Sequence, residues 1–285
     1  MNLLQRLWLT LAVLALAACA LPPPGAQQFV SFNDEFTRTK AATESWLDVL
    51  AVAERENYER TRAKFSALTA EDVPYLATTV DPPVTAAYRR GFATVMRYNE
   101  LLLSYASGDR AAATVESAAA LGQSAFGFAA IAGLSTSGAA AALIPLRDPI
   151  QNLAMTALAY RDGVSFREEL IADAPAVENL LIAMRDGAPT LFLFFTATAR
   201  VDDQRSRIGL APAAGSGATL SEKERQAASL LAEWVVMMDA TLTAHRAAVA
   251  AAQSGDPVGL ASAQLALEAG ARSADQIRRL IVGLR

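Results

Sequence analysis

Histidine and cysteine are all but missing: the 285 residues carry one of each. That pair cannot supply the four ligands of a structural zinc site, and one Cys closes no intramolecular disulfide, so cohesion falls to apolar burial. A basic surplus is lacking as well. With 25 Lys and Arg against 29 Asp and Glu, the formal charge is −4, the wrong sign for a reader of nucleic-acid phosphates. Charged residues are scarce, 19% against 53% hydrophobic, which is the reverse of the balance that keeps a chain disordered. Catalytic signatures are missing too: no Gly-x-Ser-x-Gly elbow, His-Glu-x-x-His, phosphate loop or calcium loop occurs. Gly133 to Gly138 has neither elbow spacing nor a preceding strand and reads as a loop. Accordingly, no catalytic residue, metal, cofactor or nucleic-acid partner is expected.

What is present begins at the N-terminus. Arg6 precedes twelve uncharged residues, Leu7 to Ala18, and then Cys19; a cationic start, a short apolar run and a small-residue processing site make a secretory signal. Twelve residues are too few to cross roughly 30 Å of hydrocarbon as a helix. Leu16-Ala17-Ala18-Cys19 resembles the lipobox of bacterial lipoproteins, and the only Cys stands at the position that lipidation requires. The resemblance implies cleavage before Cys19, diacylation of its thiol and acylation of the new amino group, so membrane lipid is one expected partner. Ala20 after the Cys, by the sorting rule that comes with the resemblance, favours the outer membrane, and the periplasmic face is the expected side. Two or three acyl chains, at roughly 0.8 kcal/mol per buried methylene, hold firmly. Residues 19–26 then form a tether, with Pro22-Pro23-Pro24 extended and Gly25 a flexible joint. Without residues 1–18, which contain only Arg6, the balance is 24 basic to 29 acidic side chains, or −5; such a surface gains nothing from anionic lipid.

Ala, Leu, Arg and Glu dominate the remainder, all good helix formers, while alternating β-branched runs are nearly absent. The expected fold is all-α, an antiparallel multi-helix bundle with a long N-terminal helix and a C-terminal helical hairpin. Between Gln27 and Val73 there is neither Pro nor Gly, and Phe29, Phe32, Phe36, Trp46, Leu50, Tyr58, Phe65 and Leu68 recur at helical spacing. A second helix is expected over Val84 to Ser107, with Tyr88, Phe92, Val95, Leu102 and Tyr105 on its stripe. Ser107-Gly108-Asp109 recurs as Ser254-Gly255-Asp256, each a Gly stop followed by a capping Asp. Asp148-Pro149, Ser165…Glu168, Ser221…Glu224 and Asp256-Pro257 predict starts near 149, 166, 222 and 257, and Gly163, Gly187 and Gly255 predict stops. The main bundle is expected over 27–208, an uncharged Gly/Ala/Ser linker over 209–220 and the hairpin over 221–285.

Three features bear on function. Ser117 to Leu146 is a thirty-residue stretch without formal charge that includes Phe126, Phe128 and Ile131. In outline it is similar to the hydrophobic hairpins of helical pore-forming toxins of the cytolysin A type, an architectural resemblance that implies membrane insertion; its own composition equally fits a buried hairpin of small residues. Leu191-Phe192-Leu193-Phe194-Phe195 cannot share one helical face, so either it is buried all round or Phe192, Phe194 and Phe195 contact an apolar ligand. His245 lies on the stripe Leu231, Trp234, Met238, Leu242, His245 and Val249, where a neutral, hydrogen-bonded core imidazole is expected. The adjacent pairs Glu168/Glu169 and Asp202/Asp203 read as solvated faces. By elimination, the expected function is a noncatalytic scaffold or binding module with a protein partner in the cell envelope. The alternatives are a membrane-inserting protein or a cell-wall hydrolase using carboxylates alone.

Overall fold

The computed structural model describes residues 23–61, 68–107, 139–158, 165–208, 220–255 and 260–282. Among the described residues the chain is all-α, without a strand. The helices are α1 (Ala26–Thr61), α2 (Val73–Leu76), α3 (Pro83–Ser107), α4 (Ala139–Leu158), α5 (Phe166–Asp186), α6 (Ala188–Arg207), α7 (Leu220–Ser254) and α8 (Leu260–Val282). The segments 1–22 and 108–138 lie outside the described residues, and with them Leu16, Ala17, Ala18, Cys19, Phe126, Phe128 and Ile131.

The core is built on α1 and α7, which run antiparallel. Phe32 meets the His245 ring at 4.9 Å, Thr39 and Thr241 share a 2.9 Å hydrogen bond between their hydroxyls, and the Trp46 and Trp234 rings meet edge to face at 5.2 Å. Both indole Nε1 atoms are buried without a hydrogen-bond partner among the described residues. An unpaired donor costs about 1–3 kcal/mol, whereas burying an aromatic of roughly 200 Å² returns about 5 kcal/mol, so packing wins. α3 runs antiparallel to α1 through Phe36–Phe92 and Trp46–Tyr88. α5 follows the direction of α1, with Phe29 against Phe166 at 5.5 Å, and α6 continues along α1, where Phe195 lies 6.1 Å from Trp46. α8 returns along α7 and also touches α1.

Two stretches, Phe166–Ala197 and Glu222–Ser254, are long and apolar enough to cross a membrane by length and composition. In the bundle each turns a stripe into the core, Leu170, Val177, Leu181 and Met184 in one and Leu230, Trp234, Met237 and Thr241 in the other.

Several boundaries differ from the sequence reading. By Leu68 the chain has left α1, and Leu68 itself is 69% exposed; Phe65 lies outside the described residues. Tyr58 leaves the core stripe to stack on Tyr75 at 4.0 Å with the rings nearly parallel. Asp148-Pro149 starts no helix, because α4 runs through both Pro145 and Pro149. The prolines are four apart, Pro145 exposed and Pro149 half-buried, while Leu146, Ile150 and Leu153 form a buried stripe about a quarter turn away; burial of that stripe outweighs the missing backbone bonds. Ser221 lies inside α7, which begins at Leu220. On α8 the buried face is formed by Ala263, Ala274, Ile277 and Ile281, and Leu265 is 68% exposed. Asp202 is buried and accepts from Arg60 at 3.1 Å, so it belongs to no solvated face.

Candidate functional site

A groove of about 490 Å³ lies beside the start of α3. Its construction begins with Glu54. This α1 carboxylate is buried and accepts three hydrogen bonds from the first turn of α3: from Val84 N at 2.9 Å, Thr85 N at 3.0 Å and Thr85 Oγ1 at 3.0 Å. Pro83 at the first helical position has no N–H to offer, so a distant acid on α1 does the work that a local cap performs elsewhere. Burial pushes the Glu54 carboxyl up to about 7, against the hydrogen bonds from Val84 and Thr85 and the nearby Arg55.

The segment before α3 forms the opposite wall. Arg55 Nη2 donates to Val80 O at 2.8 Å and Ala77 O at 3.4 Å. Asp72 accepts from Thr69 N at 2.6 Å and from the Tyr58 hydroxyl, and Tyr58 stacks on Tyr75. Burial, with Glu54 and Tyr58 adding to it, pushes the Tyr75 phenol up. α1 therefore holds this connecting segment at three places, and the groove opens between it and α3.

Pro74, Thr79, Val80 and Asp81 line one side; Pro83, Ala86, Arg89, Arg90 and Ala93 line the other. The α3 positions 86, 89, 90 and 93 follow helical spacing and share one face. The two adjacent arginines have different surroundings. Arg89 is ringed by acids, with Asp48 at 2.6 Å, Asp81 at 3.4 Å and Glu44 at 3.5 Å. Arg90 has no carboxylate partner among the described residues, and its Nη1 is buried without a hydrogen-bond acceptor. Burial lowers the affinity of its guanidinium for the proton. The groove is thus mostly apolar, with Asp81 and Arg89 joined across it and one unspent guanidinium.

Among the described residues, none of the sequence-derived site residues lines this groove. Phe192, Phe194 and Phe195 lie on α6, half-buried against the core, while Leu191 is buried and Leu193 is 53% exposed. The run is therefore not buried all round: α6 has one side free, and five consecutive apolar residues cover every direction on a helix. Arg200 places its guanidinium over the Phe192 ring at 5.7 Å. His245 is fully buried, as its stripe predicts, but the expected hydrogen bond is absent among the described residues. Its nearest carboxylate, Glu178, stands 3.9 Å from Nδ1. The imidazole and the Arg246 guanidinium hold that carboxyl below its ordinary range.

Among the described residues no three His, Cys, Asp or Glu side chains converge as a metal would require. Sequence reading missed Arg89 and Arg90. The available signal was a dibasic pair about two turns after Pro82-Pro83, yet only the fold reveals that one member is neutralised and the other is not. No family model matches the chain, nor does any curated protein or solved structure.

Proposed function

We propose that this protein is a lipid-anchored, noncatalytic binding module of the bacterial cell envelope, held through acylated Cys19 at the periplasmic face of the outer membrane. In this reading it presents the α2–α3 groove to the periplasm. The observation that carries the reading is the layout of the bundle relative to the tether. Gly25 has φ +84°, and a Cβ built on it would stand 2.8 Å from Ala252 Cβ and 2.9 Å from Ala252 N. The end of the tether is therefore a packed turn against α7 rather than a loose joint. Arg167 Nε bonds Ala252 O at 2.6 Å at the same end. The groove lies beside residues 54–58 of α1, some thirty residues farther along, which at 1.5 Å per residue is roughly 45 Å from the turn. A body fixed at one end leaves a cleft at the other clear of the lipid headgroups.

The test is Cys19→Ala. The parent chain should take up labelled fatty acid and fractionate with outer membranes; the variant should lose the label and appear in the periplasm. Continued labelling of the variant, or a parent chain with an intact leader, defeats the anchoring.

A further inference from the structure

We infer that the α2–α3 groove binds a small monoanionic amphiphile, a carboxylate on a short apolar body, with Arg90 receiving the carboxylate. This rests on the reading of the groove as a binding site and adds the chemistry of its occupant. Size sets the first limit. A cavity of about 490 Å³ falls within the range of small-ligand sites, ~300–1,000 Å³, and is far too small for a folded partner. The lining sets the second. Pro74, Val80, Pro83, Ala86 and Ala93 offer no hydrogen bonds from their side chains and suit a hydrocarbon.

Charge decides the head. Arg89 is already answered by Glu44, Asp48 and Asp81. Arg90 lines the groove as a half-buried cation with no carboxylate partner among the described residues, and an unpaired, partly desolvated charge favours an anion that answers it. A carboxylate matches the guanidinium fork. A phosphate dianion fits less well, because the Asp81 carboxylate stands in the same groove and repels the second charge.

The experiment uses the full chain in detergent micelles, with protein-free micelles as background, and equilibrium dialysis against isotopically labelled octanoate or octanol. One saturable octanoate site is expected, with octanol at least about tenfold weaker, the worth of one charge-assisted hydrogen bond. Arg90→Met should lower octanoate to the level of octanol, and Ala86→Leu should remove the site by filling it. Arg278→Met, on exposed α8 surface, should leave binding unchanged. The melting profile of each variant separates lost binding from lost folding, and Ala86→Leu decides the matter if Arg90→Met does not fold. Equal binding of octanoate and octanol overturns the proposal, as does an unaltered site in folded Arg90→Met. Stronger competition by inorganic phosphate than by acetate overturns the choice of head group. These readouts are independent of the acyl label at Cys19, so the ligand and the anchor stand or fall separately.

Discussion

At the scale of single residues, the glycines carry information that the sequence reading assigned differently. Gly187 stands where a helix stop was expected, yet its φ is −71°, open to any residue. Its role is close approach: a Cβ there would lie 1.9 Å from the Tyr88 hydroxyl oxygen. Tyr88 cannot swing aside, because Trp46 and Trp234 hold its ring edge to face and its hydroxyl donates to Met184 O at 3.3 Å. Gly187→Ala gains about 0.4–1 kcal/mol by restricting the unfolded chain but overpacks a tightly filled site at a cost of about 1–3 kcal/mol. Net destabilisation of roughly 1 kcal/mol is expected in urea unfolding. Adding Tyr88→Phe removes the colliding oxygen and should recover most of the loss; strict additivity in that cycle would refute the steric account. Gly270 has a similar place on α8, where a Cβ would lie 2.1 Å from Oε1 of buried Glu35.

At the scale of elements, the start of α5 was readable from four residues. Ser165 Oγ accepts from Glu168 N at 3.3 Å, and Glu168 Oε2 accepts from Ser165 N at 3.0 Å, a complete capping box. The bonds from Ser165 hold the Glu168 carboxyl below its ordinary range. Ser165→Ala should cost about 1 kcal/mol, read as a lower urea midpoint with unchanged slope; an unaltered midpoint would mean that the box contributes nothing. The start of α3 illustrates the contrary case. Its cap, Glu54, lies thirty residues upstream of Val84, and no local pattern announces it. α4 differs again, since the local signal at Pro149 pointed to a start and a buried stripe overrode it. Capping is legible when the partner is three residues away, and hidden when another helix supplies it.

At the scale of the whole molecule, buried acids make stability depend on pH in an uncommon direction. Burial pushes Glu54 up from 4.5 to about 7, and burial with the neighbouring Glu169 carboxylate pushes Asp173 up from 3.8 to about 7. Between these values the native chain keeps protons that the unfolded chain has released. The stabilisation is therefore complete below the unfolded values and is lost as pH rises through about 7. Glu178 and Glu168 are shifted the other way, so their contribution fades as pH falls below the ordinary carboxylate range. A stability maximum near pH 5 is expected, with a decline towards pH 8. For Glu54 alone the difference is on the order of 3 kcal/mol. Urea midpoints across pH 4.5–8 measure it, and Glu54→Gln should flatten the decline; a midpoint that rises from pH 5 to pH 8 would reverse the sign and dismiss these acids as its source.

The all-α class, the α1 stripe from Phe29 to Leu50, the α3 stripe, the cap of α5 and the burial of His245 were legible in the chain, because each follows from spacing within a turn or two of helix. Packing between distant segments set the rest: Tyr58 turns to Tyr75, Asp202 is buried against Arg60, α4 passes through two prolines, and Arg90, beside Arg89, has no acid among the described residues. These outcomes depend on which distant helix arrives alongside, and a one-dimensional pattern records what a side chain offers, not what meets it.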